Sequence, residues 1–182
     1  METEYVENMD APCDEKDLVG IFRQAAEDEG YGTVAVEVAP LCALKVKWMR
    51  SPDFIALQVA DSLIGARRGA VEGCAREILA RIAGRSSDSF ATEALRRELA
   101  TPEFARRWQG VLAERAGLTA ADVEVPEWAP EETAVYYGHA GCSVLTRAVL
   151  IPPGLSEDDE REAVDDGCRD LADRLAAMWE GD

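Results

Sequence analysis

Residues 133–179 constrain the fold more than any other stretch. Residues 133–137 and 142–151 are rich in Val, Tyr, Leu and Thr, side chains that suit a pleated surface, and residues 138–141 interrupt them as a turn or bulge. Pro152-Pro153-Gly154 then ends any strand, since proline cannot donate to a ladder. From Ser156 the apolar spacing becomes helical: Val164, Cys168, Leu171, Leu175 and Met178 fall on one stripe of a helix reaching about Trp179. Ser156 with Asp159 three residues on is a capping-box pattern with Asp in place of Glu, and the acids at 157–160 suit the positive end of the helix. A strand segment and a long helix of this kind bury their apolar surfaces on one another.

Upstream, Asp14 can cap a helix running to about Asp28, with Leu18, Ile21, Phe22 and Ala25 on one face and Gly30, Tyr31 and Gly32 ending it. Val34, Val36 and Val38 alternate as in a half-buried strand that Pro40 breaks. Leu44, Val46 and Trp48 share one face of a second strand, and Ile55, Leu57 and Val59 one face of a third. With Ser51-Pro52-Asp53 between them, residues 45–59 read as a β-hairpin. A helix over residues 66–83 carries Val71, Ala75, Ile78, Leu79 and Ile82 and stops at Gly84. Another begins near Asp88 or Ser89, with Phe90, Ala94 and Leu95 inward. Thr101-Pro102 starts a third, with Phe104, Trp108, Val111 and Leu112, stopping at Gly117. Residues 119–130 form an irregular connection. Residues 1–12 read as an acidic tail and 13–182 as a single α+β domain, with no internal sequence repeat.

The 47% hydrophobic and 30% charged content is that of a globular chain rather than a disordered one. A net charge of −17 argues against nucleic acid and against anionic membrane surfaces, both of which need clustered Lys and Arg. The charge reads first as a solvated surface, and in its sharper form as an acidic face for a basic partner or a mimic of nucleic acid. No basic-then-apolar leader opens the sequence and no window has the ~18 apolar residues of a membrane span. Cys13, Cys42, Cys74, Cys142 and Cys168 are odd in number, widely spaced and without a CxxC pair, the pattern of reduced thiols in a cytoplasmic protein.

Three runs resemble a known family: Lys45-Val46-Lys47-Trp48-Met49-Arg50-Ser51; Phe54-Ile55-Ala56-Leu57-Gln58-Val59-Ala60-Asp61 with a later helix ending Ala80-Arg81-Ile82-Ala83-Gly84; and Gly141-Cys142-Ser143-Val144-Leu145 before a strand ending in Ile151. They are similar to SprT-like and YgjP-like zincin metallopeptidases and their archaeal relatives, over roughly residues 40–175. The resemblance implies a zincin-like (minigluzincin-like) arrangement and, on the last helix, the zinc motif HExxH. That motif places two imidazoles on one helix face, with a Glu as general base between them. Here the helix reads Ala163-Val164-Asp165-Asp166-Gly167-Cys168-Arg169-Asp170-Leu171-Ala172, and the chain has one histidine in all, His139. The family's zinc chemistry is ruled out by residue count, so the resemblance implies a degenerate member, a pseudo-metallopeptidase.

One replacement site can be drawn from His139, Cys142, Asp165 and Cys168, since His139-x-x-Cys142 at a strand end could meet Asp165 and Cys168 on a facing helix. Against it, both cysteines already fit apolar stripes. A Cys–His nucleophile from the same residues would need a depressed thiol pKa and lacks an evident orienting group. Glu157, Asp158, Asp159, Glu160, Glu162, Asp165 and Asp166 lack the spacing and turn glycine of a calcium loop. Gly138-His139-Ala140-Gly141 lacks the Lys-Ser/Thr of a phosphate loop. Tyr136, Tyr137, Trp48, Trp108 and Trp128 read as core and edge packing, and the paired arginines Arg67-Arg68, Arg96-Arg97 and Arg106-Arg107 as salt-bridging helix residues.

The expected fold is α+β: a small, mostly antiparallel sheet of three to five strands with helices mainly on one side. Three functions stay open, with no cofactor or catalytic residue assigned. They are a non-catalytic zincin-like domain with a structural or partner-binding role, a metal- or thiol-dependent hydrolase using His139, Cys142 and Cys168, and an acidic decoy or regulator binding a basic protein.

Overall fold

The computed structural model describes residues 8–43, 46–85 and 90–180. The expected tail up to residue 7, the strand start at Leu44 and Lys45, and the helix start near Asp88 or Ser89 lie outside these residues. The chain divides into two compact units, Met1–Glu98 and Leu99–Asp182. The division falls within a helix, where composition offers no linker.

In the first unit, α1 (Glu15–Asp28) is opened by a capping box in which Asp14 and Asp17 satisfy each other's backbone N–H groups. Its apolar face, Leu18, Ile21, Phe22, Ala25 and Ala26, is buried. Strands β1 (Thr33–Ala39), β2 (Val46–Ser51) and β3 (Phe54–Ala60) form a sheet in the order β1-β3-β2. β2 and β3 make the expected hairpin, with Trp48 opposite Leu57 and Met49 opposite Ala56. β1 joins β3 in parallel. Ile55, Leu57 and Val59 are fully or nearly buried, and Ala56 and Gln58 on the other face only partly so. Helix α2 (Arg68–Ile82) buries Val71, Cys74, Ala75, Leu79 and Ile82 and ends before Gly84, whose φ of +79° lies where glycine alone is unstrained. Glu77 on α2 is buried, holds Arg81 one turn on, and accepts from the Thr92 N–H and hydroxyl in the first turn of α3 (Phe90–Leu99).

The second unit opens with α4 (Pro102–Arg115), capped by Thr101 Oγ1 accepting from Phe104 N at 3.4 Å. Its sheet comprises β4 (Thr119–Ala120), β5 (Ala134–Tyr137), β6 (Gly141–Ser143) and β7 (Ala148–Ile151), in the order β4-β5-β7-β6. Helix α5 (Glu157–Glu180) follows, with Ser156 Oγ accepting from Asp159 N at 3.2 Å. Ala100, Val135, Val149, Ile151, Val164, Cys168, Leu171 and Leu175 form one core cluster between sheet and helix. On the other face Tyr136 and Ala148 pack with Ala113 of α4.

The α+β class holds. The single, mostly antiparallel sheet does not: the described residues form two small sheets, each with one parallel pair. Both have the same topology, in which a strand pairs in parallel with the far arm of the hairpin that follows it, and a helix comes next. The residues expected to run as one strand, 142–151, are two arms of a hairpin. The turn between them is set by Arg147, whose φ of 51° is left-handed, and by Ser143 Oγ accepting from Thr146 N at 3.4 Å. Alternation alone cannot reveal such a turn, because Val, Leu and Thr continue through it. In the second unit helices also cover both sheet faces rather than mainly one.

Candidate functional site

Residues 142–151 and 163–172, where the sequence reading looks for a metal site, meet in the seam between β6–β7 and α5. It is filled. Val149, Val164, Cys168 and Leu171 are fully or almost fully buried there. Gly167 brings the helix backbone against the sheet: a Cβ added to it would fall well inside contact distance of Val149 Cγ1 and 3.6 Å from Val149 Cβ. A glycine within a helix costs about 1 kcal/mol relative to alanine, so its place here marks close packing.

The four residues drawn together from sequence do not form one cluster. His139 is exposed in the turn between β5 and β6, whereas Cys168 is completely buried among apolar side chains. Asp165 is half-buried on α5, and its charge adds to burial in raising the Cys168 thiol pKa. Among the described residues no three His, Cys, Asp or Glu side chains are grouped so that they could hold a metal ion.

Cys142 is the one candidate in a polar contact. Its Sγ donates to Asp170 Oδ2 at 3.2 Å, and Asp170 Oδ1 accepts from Arg174 Nε at 3.0 Å. Burial, then the hydrogen bond to Asp170 and the charge of Asp170, push the Cys142 thiol up to about 11. Arg174 and the Cys142 thiol hold the Asp170 carboxyl below its ordinary value. The triplet is therefore a protonated thiol, a carboxylate and a guanidinium, the reverse of an activated nucleophile, which needs a thiol pKa below its ordinary value. Sequence reasoning missed Asp170 and Arg174 because they lie off the apolar stripe, beside Cys168 and Leu171 rather than on it. Their i, i+4 spacing is the available signal.

Arg147 is the other unusual group. It is 8% exposed, and its Nη atoms donate to the carbonyls of Glu131 at 2.9 Å and Ala100 at 3.0 Å. Desolvation lowers its pKa, and its Nε has no partner. Gln109 Nε2 secures the same segment, donating to the carbonyls of Thr146 at 2.7 Å and Glu132 at 3.0 Å. This is a clamp on loop backbone, beside the β6–β7 turn.

Burial likewise pushes Cys13 and Cys74 up to about 11. With Cys142 they bind protons more tightly folded than unfolded, so stability is present in full below the ordinary thiol value of 9.0 and is lost as pH rises from there through about 11. Urea midpoints measured at pH 8, 9.5 and 10.5 should fall in that order, and Cys74→Ala should flatten the decline. At pH 7.5 iodoacetamide should label Cys142 on the order of a hundredfold more slowly than a thiol of ordinary pKa, read by mass spectrometry.

Tyr136, Tyr137, Trp108 and Trp128 belong to the second unit and Trp48 to the first. Tyr136 is buried core, while Trp128 is exposed and lies under the Arg169 guanidinium at 5.7 Å. Of the paired arginines, Arg68 bonds Asp17 at 3.1 Å and Glu72 at 2.9 Å, and Arg106 bonds Glu132 at 2.9 Å. Among the described residues no helix is long and apolar enough to cross a membrane. No family model, curated protein or solved structure matches this chain.

Proposed function

We propose that the chain is a non-catalytic, zincin-like domain that acts by binding a partner. One observation carries this reading: the strand–helix seam is closed by apolar packing at Gly167 and Val149, with Cys168 and Leu171 sealed beside them. A hydrolase needs a solvent-reachable pocket in which polar groups converge. Here three polar groups beside the seam, Cys142, Asp170 and Arg174, satisfy one another.

The competing hydrolase reading assigns chemistry to His139, Cys142 and Cys168. Its test is the set of alanine variants at these positions, assayed beside the parent chain on peptide and ester substrates with and without zinc. The expected result is no turnover above buffer in any of them, with Cys168→Ala lowering the melting temperature and His139→Ala leaving it unchanged. Turnover by the parent chain that His139→Ala abolishes would overturn the proposal.

A further inference from the structure

β2 is an edge of the first sheet, and its backbone phase can be read. Thr33 N of β1 donates to Asp53 O at 2.9 Å, so the odd-numbered residues of β3 turn their backbone groups towards β1 and the even-numbered ones towards β2. The even residues Phe54, Ala56 and Gln58 stand opposite Ser51, Met49 and Lys47. Val46, Trp48 and Arg50 therefore point their N–H and C=O groups away from the sheet, and among the described residues no backbone partner meets them. Trp48 is 50% and Met49 65% exposed.

The charges on this edge are unusual for the chain. The sequence has 36 acidic against 19 basic residues, yet among the described residues neither Lys47 nor Arg50 is in an ion pair. Arg50 lies over the Trp48 ring at 5.8 Å and reaches Tyr31 Oη at 3.4 Å. Gln58, across from Lys47, donates instead to Glu37 at 3.0 Å. The strand thus offers a cation on each face, Lys47 with Met49 and Arg50 with Trp48, beside a row of free backbone groups.

We infer that β2 receives an extended acidic segment of a partner protein as a fourth strand. This rests on the partner-binding reading above and names the partner's chemistry. Main-chain hydrogen bonds supply attraction in this mode of recognition, and alternate side chains supply selectivity. Lys47-Trp48-Met49-Arg50 asks for acid–apolar–apolar–acid: two carboxylates three residues apart, one on each face, with apolar side chains between them to cover Trp48 and Met49. Edge lysines normally keep edges from pairing with one another, and here the same charges repel a basic strand while admitting an acidic one. The net charge of −17 opposes an acidic ligand at long range, but at 0.15 M salt the screening length is about 8 Å, so the neighbouring cations dominate.

The test uses the full chain at 0.15 M salt and a fluorescein-labelled, acetylated peptide Ser-Thr-Glu-Val-Val-Glu-Thr-Ser, followed by anisotropy. Saturable binding is expected, with the Lys-for-Glu peptide weaker by about tenfold or more. Lys47→Glu with Arg50→Glu should reverse that preference. Trp48→Pro removes an outward N–H without touching the β2–β3 ladder, and should abolish binding while leaving the circular dichroism unchanged. Equal binding of the two peptides, no effect of the double charge reversal, or binding to Trp48→Pro as tight as to the parent would each overturn the inference. So would sedimentation showing that β2 joins two copies of the chain, a dimer lost in Trp48→Pro. Failure here with no turnover in the hydrolase assays removes only this inference, whereas turnover removes the reading beneath it.

Discussion

Gly167→Ala is expected to destabilise the second unit by about 1–2 kcal/mol, against the usual sign of such a change. In an ordinary helix interior the replacement would stabilise by about 1 kcal/mol. Here the new methyl falls on Val149, a residue with no exposed surface on an interior strand of its sheet. Val149 cannot yield without disturbing Val135, Ile151 and Val164 in the same cluster. Overpacking of this kind costs about 1–3 kcal/mol, and any helix-propensity gain offsets only part of it. Val149→Ala carries a cavity loss of its own, but in that background Gly167→Ala should cost much less, since the atoms in conflict are gone. Urea unfolding of the four chains in the cycle measures that coupling. Additive losses would mean that the helix does not approach the sheet at this point.

Arg147→Ala is expected to cost about 3 kcal/mol. Two charge-assisted hydrogen bonds to the carbonyls of Glu131 and Ala100 are lost, and Ala100, which is fully buried, keeps an unpaired oxygen. A cavity is left as well. Arg147→Lys should cost less, about 1–2 kcal/mol, because an ammonium can reach one carbonyl but cannot span both. Chemical denaturation of both variants checks the order. If alanine is tolerated as well as lysine, the guanidinium is not what holds the loop.

Much of the fold is legible in the sequence because it follows from local rules. Asp14, Thr101 and Ser156 mark helix starts through oxygen atoms that satisfy orphan N–H groups. Ile55, Leu57 and Val59 reveal their strand by alternation, and the stripe Val164, Cys168, Leu171 and Leu175 reveals its helix. What the sequence hides is set by partners distant along the chain. Nothing in residues 33–39 says that β1 skips β2 and joins β3, nor does anything near Thr101-Pro102 declare a new compact unit. The left-handed turn at Arg147 is equally hidden, since arginine carries none of the signals of glycine or asparagine.

The candidate site is half legible. A single histidine in the whole chain is too few for a paired-histidine zinc motif, and Cys168 shows itself as core by its place on the stripe. The bond from Cys142 to Asp170 has no local signature, because it depends on how far β6 lies from α5. Gly167 is readable in principle: a glycine between Val164 and Cys168 on a buried stripe signals that backbone and sheet come close.

Metal analysis of the purified full chain, after expression in zinc-supplemented medium and gel filtration without chelator, bears most directly on the central claim that the β7–α5 seam is closed core rather than a metal site. Inductively coupled plasma mass spectrometry should find far less than one zinc per chain, and added zinc should leave the urea midpoint unmoved. One zinc per chain that resists gel filtration and is lost in Cys142→Ala or Cys168→Ala would contradict the account.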